Sequence, residues 1–175
     1  TLQNLVFERS NTSTYWRGGS VLVTGNNLKI DGVEFRDSDS HCLQIEGNFN
    51  IVQNSTFKRC GQVGLVANGS NVLIKNNYFT GTNDSRKFNY NWEAGPTKFI
   101  GQNGLDNSEI SDNVVTSNNG YGIWLDTGNS GNTIKNNVSA YNHIGIALEN
   151  STNNTIQDNV VFGNRSQGIN LRGAT

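Results

Sequence analysis

The chain has 175 residues and a formal net charge of −1, which is enough length for one domain with its own core. The near-neutral charge gives no reason to expect a nucleic-acid partner, and no apolar run is long enough for membrane insertion. Its 30 Asn and 20 Gly argue against a helical fold, because both residues are poor helix formers. A repeat that places Asn at a fixed turn would explain this composition.

A first element recurs from the start of the chain. Each copy begins with Leu, Ile or Val and carries Asn, Asp or Gly within the next few positions. Successive copies begin 28, 22, 22, 36, 24 and 22 residues apart. The copies are 2–7, 30–35, 52–57, 74–79, 110–115, 134–139 and 156–161.

A second element, a strand with alternating apolar residues, keeps step with the first. Its copies are 20–24, 42–46, 64–68, 122–126, 145–149 and 168–172, with a weaker copy at 96–100. A period near 22 with two or three short strands is typical of a β-solenoid. We therefore predict an all-β, right-handed parallel β-helix of about seven coils, as a single domain over 1–175 and without long helices. A β-sandwich is the alternative, but it gives no reason for Asn to repeat in register.

The Asn residues predict internal ladders, in which side-chain amides bind the coils above and below. One column is expected at Asn77, Asn113, Asn137 and Asn159, at a corner of each coil. A second column is expected at Asn119, Asn142 and Asn164.

This pattern, Asn-Asn-x-x-x-x-Asn followed by Gly-Ile-x-Leu, resembles the right-handed parallel β-helix repeats of pectate-lyase-like and NosD-like proteins. The resemblance covers nearly the whole chain and implies a carbohydrate-active protein outside the cytosol, extracellular or periplasmic. It does not supply a mechanism, because the catalytic signatures of the family's polygalacturonases, pectate lyases and epimerases do not occur here.

The outward positions of the second element place Asp126, Glu149 and Arg172 in one row, with Trp124 and Lys98 beside them. We therefore expect Trp124 to be exposed and Asp126 to be solvated, so that Asp126→Asn should cost little stability. Adjacent coils bring Asp126 and Glu149 about 5 Å apart at the backbone, which suits a nucleophile and an acid in a retaining glycosidase. With Lys98 or Arg172 as the base, the row would suit β-elimination on a uronic acid. The two carboxylates could hold calcium instead, or the row could be a solvated surface with a Glu149–Arg172 salt bridge.

The spacing of 36 residues after Phe79 predicts a long loop, and long loops on rigid scaffolds commonly bind ligands. Its cations and rings suit a sugar carrying a carboxylate, but packing of Phe88 and Trp92 onto the sheet is the favoured explanation of the rings. A smaller insertion at 11–16 repeats this signal more weakly. The substrate-binding residues expected beside Trp124 are Arg86, Tyr90, Trp92 and Glu93.

Two functions follow from these patterns. The favoured one is a protein that binds or cleaves a polysaccharide, for which one that contains uronic acids is a candidate. If the protein is an enzyme, we expect a lyase or a hydrolase. The other is a non-catalytic scaffold such as a tailspike, an adhesin or a NosD-like accessory module.

Cys42 and Cys60 fit no metal spacing, and buried free thiols are favoured over a disulfide. Bare strand edges at both ends predict a segment of a longer solenoid or an end-to-end oligomer.

Overall fold

The structure is a computed structural model and describes residues 1–11, 19–101 and 104–175. Strands, turns and bends make up this part of the chain, and all of its strand pairs are parallel. Within it, no helix is long and apolar enough to cross a membrane. The strands form three sheets, and each coil contributes one strand to each sheet. The predicted parallel solenoid of about seven coils is therefore confirmed.

The three sheets are named A, B and C in the order in which each coil visits them. Sheet A contains Leu2–Gln3 (β1), Lys29–Asp31 (β4), Ile51–Gln53 (β7), Leu73–Lys75 (β10), Glu109–Ser111 (β14), Thr133–Lys135 (β17) and Thr155–Gln157 (β20). Sheet B contains Val6–Glu8 (β2), Glu34–Ser38 (β5), Thr56–Cys60 (β8), Tyr78–Thr80 (β11), Val114–Thr116 (β15), Val138–Ala140 (β18) and Val160–Phe162 (β21). Sheet C contains Val21–Thr24 (β3), Leu43–Glu46 (β6), Val63–Ser70 (β9), Gly95–Phe99 (β12), Tyr121–Leu125 (β16), Ile144–Glu149 (β19) and Gln167–Arg172 (β22). Leu105–Asp106 (β13) pairs with the end of β9.

The first recurring element spans the corner between sheets A and B. In most coils the corner residue is Asn or Asp with a positive φ, as at Asn76 (56°) and Asn136 (55°). Asn tolerates this left-handed conformation better than most residues, so its recurrence fixes where each coil turns. The second element is the sheet C strand. Its weak copy lies in register as predicted, because Thr97 of β12 pairs with Leu65 and with Ile123.

The core is a stack of like residues inside the coils. Phe7, Phe35, Phe57 and Phe79 of sheet B stack with ring centroids 5.5, 4.9 and 4.6 Å apart. Each coil buries little apolar surface alone, so it is the stacking of neighbouring coils that completes the core.

The predicted Asn ladder at the A–B corner is present. The side-chain oxygen of Asn137 accepts hydrogen bonds from the backbone N–H and the amide of Asn113, both at 2.9 Å. The side-chain oxygen of Asn113 accepts the same two hydrogen bonds from Asn77, and that of Asn159 accepts them from Asn137. The first three members are fully buried, whereas Asn159 is partly buried.

The second predicted ladder contains one wrong residue. At the B–C corner the column is Asn118, Asn142 and Asn164, in which each amide oxygen accepts from the backbone of the previous coil. Asn119 instead donates to the backbone carbonyl of Asn83. The correct residue follows from the spacing, because each member lies five positions after a member of the first ladder.

A third ladder, at the C–A corner, was not predicted. Ser108 donates its backbone N–H to the side-chain oxygen of Asn132, and Asn132 donates to Asn154. Asn50 caps the same corner earlier in the chain, where it accepts from the backbone of Leu28. The high Asn content therefore serves three corners.

Replacing Asn137 with alanine should lower the free energy of unfolding by about 2 kcal/mol, because buried backbone groups lose their partners. The carbonyl of Ile110 loses a donor, and the N–H of Asn113 loses an acceptor. Urea denaturation would measure the change. Asn170→Ala, on the outer surface of β22, is the control and should change stability by no more than about 0.5 kcal/mol. Equal stability of the two variants would show that the ladder does not contribute to the free energy of unfolding.

The two cysteines form a disulfide, so the favoured interpretation of free thiols was wrong. Cys42 directly precedes β6 of coil 2, and Cys60 ends β8 of coil 3. Both side chains lie in the core, and their Cα atoms are 5.6 Å apart. Stacking of successive coils brings these two residues together, although they are 18 residues apart in the sequence, and that separation alone does not reveal the contact.

Candidate functional site

The row predicted on sheet C exists in the predicted register. Trp124 of β16 pairs with Lys98 of β12 on one side and with Ala147 of β19 on the other. Glu149 pairs directly with Arg172. Repetition of the strand therefore aligns these residues, but alignment does not determine their exposure.

Lys98 and Asp126 form a buried ion pair. The Lys98 Nζ lies 3.3 Å from the Asp126 carboxylate, and the exposed fractions of the two side chains are 5% and 11%. The same ammonium donates to the backbone carbonyl of Trp92 and lies 3.7 Å from the centroid of the Trp124 ring. Lys98 thus joins a loop, a carboxylate and an indole.

Trp124 and Asp126 are not solvated, contrary to the prediction. Trp124 is 1% exposed and packs against Tyr121 with ring centroids 4.4 Å apart. Both positions point away from the core, as predicted, but the loop before β12 packs over this part of sheet C. The path of that loop is not encoded in the repeat, so the exposure could not be derived from the alternation of residues.

Burial lowers the pKa of Lys98, although Asp126, and more weakly Glu149 and Glu93, act in the opposite direction. Glu149 is partly buried and forms a 3.1 Å salt bridge with Arg172, which is exposed. The two carboxylates of the row therefore each have a cationic partner.

Calcium does not fit this arrangement. It needs six to eight oxygen ligands, whereas the row offers two carboxylates that are already paired with cations. Among the residues that the structure describes, no group of three or more His, Cys, Asp or Glu side chains could hold a metal ion.

The long loop covers 81–94 and connects β11 to β12. It is closed internally by Asn83, which is buried and exchanges two hydrogen bonds with the backbone of Phe88. The alternative in which Phe88 and Trp92 pack the loop onto the sheet agrees with the 9% exposure of Phe88 but not with the 61% exposure of Trp92. Tyr90 packs on His143 with ring centroids 4.2 Å apart, which ties the loop to coil 6.

A groove of about 650 Å³ lies beside this loop. One wall is formed by the loop, and the other by turns that precede the sheet C strands of coils 5 to 7. Three lining side chains are cationic and none is acidic. The residues that line it are Arg86, Lys87, Phe88, Asn89, Tyr90, Asn91, Asn119, His143 and Arg165.

Two of the predicted binding residues, Arg86 and Tyr90, line this groove. Trp92 is 61% exposed on the same loop, and Glu93 lies on the loop's other side, where it lines a smaller pocket. The insertion at 11–16 lies largely outside the described residues.

Sequence reasoning missed His143 and Arg165 as groove residues. Both occupy the turn before a sheet C strand, and the backbone N–H of Arg165 donates to the carbonyl of Asn142. Burial lowers the pKa of His143, and the nearby Arg165 lowers it further. The signal that could have found them is their shared position, one or two residues before the recurring start of the sheet C strand in successive coils.

A protein-family model described as a right-handed beta helix region matches residues 19–175. No curated protein matches the chain significantly, and no solved structure does so.

Proposed function

Since this chain belongs to the right-handed β-helix family, we propose that it binds a polysaccharide that carries carboxylate groups, in the groove beside the 81–94 loop. The single observation that carries the proposal is the charge of that groove, which presents Arg86, Lys87 and Arg165 and no acidic side chain. The whole chain has a net charge of −1, so this cluster is a local feature. Arginine binds carboxylates through two parallel hydrogen bonds, which gives geometric selectivity.

The aromatic side chains support a sugar as the ligand. Tyr90 and Trp92 are 39% and 61% exposed on the loop. Aromatic rings bury a large apolar area at a small entropic cost, and the C–H face of a sugar ring is a matching surface. Cations and exposed rings on one loop therefore suit an acidic sugar polymer better than a simple anion.

The groove is also held in shape before any ligand binds. Lys98 bonds the carbonyl of Trp92, Tyr121 donates to the Asn91 side chain at 3.4 Å, and Tyr90 packs on His143. A preorganised site loses less conformational entropy on binding than a mobile loop would.

Binding, rather than cleavage, is the part of the function that these residues support. A general base must reach the proton that it removes, whereas the Lys98 side chain is 5% exposed and is paired with Asp126. Cleavage by this pair would require the loop to move away from sheet C.

A location outside the cytosol agrees with this proposal. The chain contains a disulfide between Cys42 and Cys60, and disulfides persist mainly in oxidising compartments. Polysaccharides with carboxylate groups are encountered in the same compartments.

The test is the affinity of the chain for polygalacturonate and alginate, measured by titration calorimetry, with dextran as the neutral comparison. The double variant Arg86→Ala/Arg165→Ala should weaken binding by at least about tenfold, because each lost cation contributes a charge-assisted contact. Raising the salt concentration should weaken binding of the unmodified chain as well.

The matched control is Arg36→Ala/Lys135→Ala, which removes the same charge from sheets B and A. It should leave the affinity unchanged. Unsaturated products and new reducing ends, assayed in the same samples, would reveal cleavage. If no acidic polysaccharide binds, or if the groove and control variants bind equally, the scaffold function replaces this one.

A further inference from the structure

A second, smaller pocket lies on the other side of the 81–94 loop. It has a volume of about 70 Å³ and lies on sheet C across coils 2 to 4. This is room for about five water molecules. A group of that size is the hydroxyl-bearing edge of one sugar ring.

The polar lining of the pocket provides hydrogen bonds to an uncharged ligand. Asn68 contributes a side-chain oxygen that is buried and has no hydrogen-bond partner. Gln62 and His41 also line the pocket, where they hydrogen-bond each other and Gln62 accepts from the Ser40 hydroxyl. Burial lowers the pKa of His41 to about 4, so it is neutral at pH 7. A buried acceptor without a partner is costly, and a ligand hydroxyl would satisfy it.

The charges that face the pocket disfavour an ion of either sign. Lys98 supplies a positive charge, but it is paired with Asp126 at 3.3 Å. Glu93 supplies a negative charge from the end of the loop. An anion would meet the Glu93 carboxylate, and a cation would meet the Lys98 ammonium.

The remaining lining is aliphatic and comes from Val63, Val66 and Ile100. A sugar ring presents C–H groups on its faces and hydroxyls around its edge, so it matches a pocket with both kinds of surface. From this combination we propose that the pocket binds the hydroxyl-bearing edge of one neutral sugar residue. This site is separate from the groove, whose cations select carboxylates.

Methyl β-D-glucopyranoside and methyl β-D-galactopyranoside are the probes, titrated into the ¹⁵N-labelled chain and followed by NMR. At least one of them should shift the side-chain amide signals of Gln62 and Asn68, with a dissociation constant of about 1–10 mM, as expected for so small a ligand. At the Gln62 and Asn68 signals, methyl β-D-glucuronide should bind at least about tenfold more weakly, because its carboxylate meets Glu93 in the pocket.

Two variants test the pocket by different means. Val66→Phe fills it, and Asn68→Leu removes the unpartnered acceptor; each should weaken binding of the neutral glycoside by at least about tenfold. The matched control is Leu22→Phe, which adds a ring at the same position of the sheet C strand in coil 1. It should leave binding unchanged.

Three outcomes would overturn the proposal. They are the absence of amide shifts with both neutral glycosides at about 100 mM, tighter binding of the glucuronide at the Gln62 and Asn68 signals, and equal binding by Val66→Phe and Leu22→Phe. Because the two neutral glycosides carry no charge, and because binding is read at Gln62 and Asn68, which line the pocket and not the groove, the result does not depend on whether acidic polysaccharides bind in the groove.

Discussion

Replacing Asp126 with asparagine is expected to lower the free energy of unfolding by about 3 kcal/mol, which is typical when one partner of a buried ion pair is removed. The variant leaves the Lys98 ammonium buried without a counter-charge, since the two side chains are 5% and 11% exposed. It also weakens a second contact, because the Asp126 carboxylate accepts a 2.7 Å hydrogen bond from the backbone N–H of Thr127.

Urea denaturation followed by circular dichroism would measure this loss. Glu149→Gln is the matched control, because it removes the same charge from the next coil, where its partner Arg172 is 64% exposed. An exposed pair contributes less than about 1 kcal/mol. Adding Lys98→Met to the Asp126→Asn variant should restore part of the stability, because the unpaired charge is removed. Equal losses in Asp126→Asn and Glu149→Gln would contradict a structural role for the pair.

This result would reverse an inference drawn from the sequence alone. From the repeat, Asp126 faces outward and should tolerate substitution. In the structure it is 8% exposed and pairs with Lys98, whose ammonium also binds a backbone carbonyl of the 81–94 loop. A position on the outer side of a sheet is therefore not always solvated. Assays that use Asp126→Asn as a catalytic variant would need a stability measurement beside them.

The fold could be predicted because stacking requires the same residue types at the same positions of each coil. An inward Ile or Phe must meet its counterpart 22 or 24 residues away, and a corner must turn with a positive φ, which favours Asn. Those demands leave a period in the sequence. The ladder at Asn113 and Asn137 followed directly, and the error at Asn119 was a slip of one residue within an Asn-Asn pair.

The site was only partly predictable because it depends on segments outside the repeat. The register of Trp124, Glu149 and Arg172 came from the strands, so it could be derived. The burial of Trp124 and the contact between Tyr90 and His143 depend on how one long loop folds back, for which the period gives no information. Arg165 joins the groove for the same reason.

Removing the disulfide with Cys42→Ala/Cys60→Ala should lower the free energy of unfolding by about 3 kcal/mol, the value expected for a closed loop of this size. The bond spans 18 residues of sequence and joins coil 2 to coil 3, so its loss frees the unfolded chain more than it alters native contacts. Urea denaturation with and without a reductant would measure the effect. The unmodified chain should become less stable once reduced, whereas the variant should be insensitive to the reductant.

The location of the lost stability provides a stricter test of the same prediction. Each coil of a solenoid contacts only its neighbours, so a change between coils 2 and 3 should act locally. Amide hydrogen exchange in the Cys42→Ala/Cys60→Ala variant should therefore quicken most in strands β4 to β9, and least in β20 to β22. Uniform loss of protection over all seven coils would show that the chain unfolds as one cooperative unit, and the disulfide would then stabilise distant coils as strongly as its own.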